Sequence, residues 1–181
     1  MFVQIQETPN PNSLKFIPGK KVSSIGSVEL TKKEDTNNDL LKNILSINGV
    51  ESIFLGDDFL SVNKNEKINW EDIKHIVISL INEFYSDGKD LILGKIPKSD
   101  EKKDFKEIEK KIIKILETKI KPAVARDGGD IKFVAFKEGI VTVQLQGSCS
   151  GCPSSTMTLK QGVQNLLKHY IPEIKDVEAT Q

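Results

Sequence analysis

The sequence predicts an α/β chain of the α+β kind, built as two small domains that each pack a mixed or antiparallel sheet against helices. Three observations lead there. Short alternating runs of strand length and longer runs with a 3.6-residue period intermingle along the chain. A polar stretch, Lys95 to Asp104, contains Pro97 and has no periodicity, so it reads as a linker. The charge is also split: residues 1–90 carry 10 Lys against 14 acids, and residues 91–181 carry 15 Lys and Arg126 against 12 acids. We place the domains at 1–94 and 105–181, joined by 95–104. A unit of roughly 80–95 residues buries about 60–65% of its extended-chain surface, enough for one modest core. The opposite charges of the halves permit weak docking that salt would screen.

The first domain opens with a strand, Phe2 to Gln6, which Pro9 and Pro11 bring to an end. Leu14 to Ile17 is a second strand, stopped by Pro18-Gly19, and residues 22–30 have room for another. Asp39 to Ile47 reads as a short helix, with Thr36 or Asn37 as N-cap and Gly49 as its stop. Val50–Leu55 and Phe59–Asn63 flank Gly56-Asp57-Asp58 as a hairpin. Trp70 to Phe84 is a helix whose apolar stripe is Ile73, Ile76, Val77, Leu80, Ile81 and Phe84, with Asn69 as its cap.

The second domain has the order α-β-β-α-β. Phe105 to Ile120 is an amphipathic helix that Pro122 should end or kink. Asp127-Gly-Gly-Asp130 reads as a turn, followed by strands Ile131–Phe136 and Ile140–Gln146 around Glu138-Gly139. The second of these strands alternates, with Val141, Val143 and Leu145 directed inward. Pro153 to Tyr170 is a helix with Leu159, Val163, Leu166, Leu167 and Tyr170 on one face. Val177 to Ala179 can add a short edge strand.

Composition excludes several classes. The 26 basic and 26 acidic residues cancel, so no basic field points to nucleic acid or an anionic membrane. No apolar run nears the ~18 residues of a membrane span. There is no Ser/His/Asp set, phosphate loop or paired carboxylate to suggest an enzyme. The start shows no secretory leader, and the only two cysteines, Cys149 and Cys152, fit a reducing compartment; the expectation is a cytoplasmic protein.

Those two cysteines carry the chemistry. Gly147-Ser148-Cys149-Ser150-Gly151-Cys152-Pro153 lies between a strand and a helix. The spacing lets two sulfurs face one metal, and the glycines permit a tight loop. Ser148, Ser150 and the N–H groups at the helix start can bond the sulfurs, and a helix N-terminus lowers a thiol's pKa. Half of a metal or cluster site, a dithiol–disulfide couple and an inert buried pair all fit. A Gly/Ser loop belongs at the surface, which counts against the inert pair. The strand before the loop follows a hairpin rather than closing a βαβ unit, which counts against the thioredoxin-like couple.

Gly147 to Ser155 with Thr158-Leu-Lys160, Asp127-Gly-Gly-Asp130 and His169 to Glu173 resembles the C-terminal domain of NifU-like (Nfu-type) iron–sulfur cluster proteins. Glu7-Thr-Pro-Asn-Pro-Asn12, Leu14-Lys-Phe16, Pro18-Gly19, Gly49-Val50, Phe59 and Trp70-Glu71 resemble the N-terminal domain of the two-domain form. The resemblance implies a scaffold or carrier that binds a 4Fe–4S cluster, with 2Fe–2S as the other form, and passes it to apo-proteins. It implies Cys149 and Cys152 as the metal and cofactor ligands. Two sulfurs per chain then imply a cluster shared across a homodimer. Its partners would be apo iron–sulfur clients and upstream cluster assembly proteins. A thiol–disulfide module and a zinc-bridged dimeric adaptor are the alternatives. The Cys-free first domain would serve recognition, leaving residues 105–181 to assemble the cluster alone.

Other polar residues have simpler readings. Asp127 and Asp130 read as turn and strand-cap residues that shape the rim of the loop. His169 suits a helix C-terminus and His75 a solvated face, and Trp70 an anchor at its helix start. Lys106, Lys110, Lys111 and Lys114, interleaved with Glu107, Glu109 and Glu117, form a solvated helix face.

Overall fold

A computed structural model describes residues 2–91, 106–151 and 153–180, and the side chains of 153–155 are not among what it describes. The expected linker, the helix start at Phe105 and Cys152 lie outside the described residues.

The N-terminal half is one antiparallel sheet in the order β1-β2-β5-β4-β3. Its strands are β1 (Gln4–Glu7), β2 (Ser13–Ile17), β3 (Val28–Leu30), β4 (Val50–Leu55) and β5 (Leu60–Lys64). Helices α1 (Asp39–Leu45) and α2 (Trp70–Ser86) supply the apolar partners of one sheet face. Leu14, Phe16, Leu60, Val62, Ile53 and Leu55 meet Leu41, Ile44, Val77 and Ile81 in a single core. Leu91 closes the same core.

The other face of that sheet is unusual. The period-2 rule sends Ser13 and Lys15 of β2, Ser61 and Asn63 of β5, and Ser52 and Phe54 of β4 to the side opposite the core. The register places these residues opposite one another: Ser13 with Asn63, Lys15 with Ser61, Ser52 with Asn63 and Phe54 with Ser61. All six are nonetheless buried. A polar face that would normally meet water is covered by the C-terminal half.

That half has a three-stranded sheet, β6 (Gly129–Lys137), β7 (Ile140–Gly147) and β8 (Asp176–Thr180), in the order β6-β7-β8. The β6–β7 hairpin is antiparallel and turns at Glu138-Gly139, both left-handed at φ 54° and 88°. β8 pairs parallel to β7, which requires a crossover, and α5 (Pro153–Tyr170) provides it. Ile131, Val141, Val143, Leu145 and Val177 of the sheet pack on Ile112, Leu116, Val124, Val163 and Leu167 of the helices. The mixed α+β class and the α-β-β-α-β order are as expected.

Several elements differ from expectation for local reasons. The helix does not stop near Pro122. It runs as α3 (Glu107–Ile115), widens into a π turn at Leu116–Ile120 and continues as α4 (Lys121–Arg126). In that turn Lys121 N–H donates to Leu116 five residues back, so the chain continues past a proline that has no N–H to give. The cap of α1 is Asn38, which accepts from Leu41 N–H, and neither Thr36 nor Asn37 fills that role. Asn69 precedes α2 without a side-chain cap bond. On α2 the buried line is Ile73, Val77, Ile81 and Tyr85, while Ile76 is 39% exposed. On α5 Tyr170 is 51% exposed, because Ile171 and Ile174 beyond the helix take its place in the core. Gly129 and Asp130 belong to β6 and not to a loop.

Candidate metal centre

Residues 147–152 join β7 to α5. Gly147 has φ 67° and Gly151 φ 76°, the left-handed region that lets so short a segment reverse. Ser148 N–H donates to Gly128 carbonyl at 3.2 Å, and Ser150 N–H closes a turn on Gly147 carbonyl at 3.1 Å. The Asp127-Gly-Gly-Asp130 segment is therefore the bed of the loop. A Cβ at Gly129 would sit 2.7 Å from Cys149 Sγ, and one at Gly147 would sit 2.6 Å from Gly128 carbonyl. Both glycines are required by close approach.

Cys149 is only 7% exposed, so the expectation of a surface thiol does not hold. Its side chain joins the core of the C-terminal half and borders a cavity of about 600 Å³ lined by Ile120, Val124, Leu159, Val163 and Leu166. Burial pushes its thiol up to about 11; the Ser148 hydroxyl pulls the other way, and Asp127 and Asp130 add to the rise. The helix start therefore does not leave Cys149 with a lowered pKa. Of the two serines, only Ser148 reaches Cys149 Sγ as expected. Ser148 Oγ donates to Asp127 carbonyl and lies 4.0 Å from Cys149 Sγ, and Ser150 Oγ donates to Gly147 carbonyl at 2.8 Å.

The N-terminal half supplies hydrogen-bond partners to this loop and its bed, among them Asn10 and Lys15 of the motifs that resemble the Nfu N-terminal domain. Asn10 Nδ2 donates to the carbonyls of Ser148 and Ser150 at 3.0 and 3.3 Å. Asn63 Nδ2 donates to Gly147 carbonyl at 3.1 Å, and Ser61 Oγ to Gly128 carbonyl at 2.7 Å. Glu29 accepts from Gly147 N–H at 3.3 Å, and burial holds its carboxyl above the usual range. Lys15 Nζ donates to Ala125 and Arg126 carbonyls at the end of α4. Ser27 Oγ bonds Asp130, whose other oxygen lies 3.9 Å from Lys121 Nζ. Only the Asn-Pro run around Asn10 hinted at this, since prolines hold an extended segment away from regular pairing.

The remaining candidates stay away from the loop. His169 is exposed at the far end of α5, edge-on to Tyr170, and His75 is exposed on α2. Trp70 donates to Pro11 carbonyl and anchors the start of α2. Lys110 pairs with Glu107 on a solvated face. Among the described residues no three His, Cys, Asp or Glu side chains converge on a point. Thiolate donors suit iron or zinc, and this chain contributes two of them.

The cysteine segment thus leads into the helix of an α-β-β-α-β unit that a second, antiparallel unit backs, and comparison with known proteins places this two-unit chain among iron–sulfur cluster scaffolds. Residues 112–178 match the NifU-like domain, and residues 3–88 match the N-terminal domain of Nfu/NifU scaffold proteins. The chain is 42% identical to NifU-like protein 4, mitochondrial, of Arabidopsis thaliana, over 98% of its own length and 65% of that protein's. It is also 42% identical to the human NFU1 iron-sulfur cluster scaffold homolog, mitochondrial, over 98% of its own length and 71% of that protein's. A solution structure of a NifU-like protein from Saccharomyces cerevisiae aligns at 29% identity over 50% of this chain and 83% of that one, with a TM-score of 0.45. The chain belongs to the two-domain Nfu family of iron–sulfur cluster scaffolds. The relatives are named as mitochondrial, which overturns the cytoplasmic expectation.

Proposed function

We propose that this chain is a non-enzymatic iron–sulfur cluster scaffold and carrier, that Cys149 and Cys152 are its ligands, and that one 4Fe–4S cluster is shared between two chains. Residues 1–94 and 105–181 are its two domains, with 95–104 between them. The observation that carries the reading is the loop itself. Two left-handed glycines set a CxxC at the N-terminus of an 18-residue helix, and these are the only thiols in the chain. Aligned peptide dipoles at that end favour an anionic cargo, while iron binding, and not the helix start, is what draws the proton from Cys149. Two thiolates per chain leave two iron positions to be filled, and a second copy related by a two-fold axis fills them with the same pair.

Transfer proceeds by ligand exchange. Each incoming client thiolate takes the place of one cysteine thiolate on iron, so the count of sulfur ligands stays constant while the cluster changes hands. The displaced cysteine takes up a proton as it returns to its buried position. Clients are therefore apo iron–sulfur proteins, and upstream assembly proteins load the site by the same exchange in reverse.

Anaerobic reconstitution with iron and sulfide tests this. The expected product is brown, with near-equal iron and sulfide, and Cys149→Ala and Cys152→Ala each abolish it while far-UV circular dichroism stays nearly unchanged. A colourless zinc protein would replace the reading with the adaptor, and a metal-free protein with a readily cycled disulfide would replace it with the redox module.

A further inference from the structure

We propose that the polar sheet face of the N-terminal half is a clamp on the cysteine loop, with Asn10 and Asn63 as positioning residues that keep Cys149 turned into the protein. Three loop carbonyls, those of Gly147, Ser148 and Ser150, are each held by an asparagine amide from the N-terminal half. A buried carbonyl left without a partner is costly, which weighs most at Ser148, whose carbonyl Asn10 holds; the Gly147 carbonyl also accepts from Ser150 N–H and Oγ, and Asn63 adds a third bond that draws it toward the sheet. The amides are themselves locked. Asn10 Oδ1 accepts from Asn12 N–H at 2.9 Å, Asn10 N–H donates to Thr8 Oγ1, and Pro9 and Pro11 stiffen the segment around it. Asn63 Nδ2 is shared with Ser52 Oγ at 2.9 Å. Both asparagines are buried, at 5% and 8% exposure.

The clamp matters because of where it leaves the sulfur. With the three carbonyls drawn toward the sheet, Cys149 Sγ packs against Gly129 and the C-terminal core. A sulfur that is to meet iron held by a second chain has to leave that position. The N-terminal half therefore sets access to Cys149, a role distinct from recognising clients. The biological consequence rests on the ligand reading above, but the clamp concerns the thiol itself.

The experiment uses the full chain, reduced and stripped of metal, and follows iodoacetamide alkylation of Cys149 by peptide mass at one fixed pH. Asn→Asp is nearly isosteric, removes the donors and sets carboxylate oxygens against the carbonyls. Asn10→Asp with Asn63→Asp is expected to raise the Cys149 rate about tenfold or more, as the loss of two or three hydrogen bonds predicts. Lys15→Met loosens the same interface at α4 without touching the loop, and is expected to change the rate less than about twofold. An unchanged rate in the double variant overturns the clamp. An equal rise in Lys15→Met overturns the assignment to the asparagines. Hydrogen exchange across β6 and β7 checks that the C-terminal core persists. If the double variant loses that protection, Asn10→Asp alone, which keeps the oxygen that Asn12 bonds, decides by the same two criteria. A chain that shows the rise yet takes up no cluster leaves the clamp standing and removes the scaffold reading.

Discussion

Cys149 sits where the neutral thiol is favoured, and its pH behaviour follows. Its thiol is raised to about 11 in the fold, against about 8.5 in an unfolded chain. Burial of the neutral form thus contributes stability that is fully present below the unfolded value and is lost as pH rises through about 11. Chemical denaturation at pH 7 and pH 10.5 is expected to show the wild type losing more stability than Cys149→Ala, by about 1–3 kcal/mol. An equal loss in both would place the effect elsewhere. At Gly129, an alanine would drive a methyl into Cys149 Sγ and Gln146 carbonyl. Gly129→Ala is expected to retain the sheet by circular dichroism and to fail to take up iron. The cysteines stand out as candidates in the sequence because two thiols three residues apart have few uses. The burial of Cys149 is not legible there, because Gly129 and Asn10 set it from 20 and 139 residues away in the chain.

The elements show where alternation stops being informative. In β7, Val141, Val143 and Leu145 point inward and the intervening residues are half-buried, as the period-2 pattern implies. β2 and β5 alternate as well, yet Ser13, Lys15, Ser61 and Asn63 are as buried as the leucines beside them. A polar face closed off by another part of the chain has the same sequence pattern as one facing water, and only the bonds it makes distinguish the two. The helix ending in α4 is a second case: Pro122 is a sound stop signal for an α-helix, but a π turn gets around it. Two substitutions probe the elements that hold the loop. Gly147→Ala must adopt φ 67° and meets Gly128 carbonyl, so it is expected to lower stability by about 1–3 kcal/mol in denaturant. Leu167→Ala empties a fully buried position on α5 and is expected to cost about 2–5 kcal/mol while leaving the Cys149 alkylation rate nearly unchanged.

The two halves of the molecule keep separate hydrophobic cores and meet through hydrogen bonds. Among the described residues the ion pairs lie within one half or the other, so the net charges of −4 and +4 do not act through direct pairing. Docking is therefore expected to persist in salt: protection of the loop amides in hydrogen exchange should be nearly the same at low salt and at 1 M, where the screening length falls to about 3 Å. A steep loss of protection would restore charge as the cause. The loop takes its shape from both halves, so cluster assembly by residues 105–181 alone would show how much of that shape the cluster needs. At the level of the whole molecule, we propose that one cluster needs two chains. Sedimentation velocity of the anaerobically loaded protein, monitored at the visible absorbance of the cluster, tests this most directly. The colour is expected to travel with a particle of twice the 20.2 kDa chain mass, at one 4Fe–4S unit per two chains, while the metal-free protein is largely monomeric at micromolar concentration. Colour travelling with single chains, one cluster each, would contradict it.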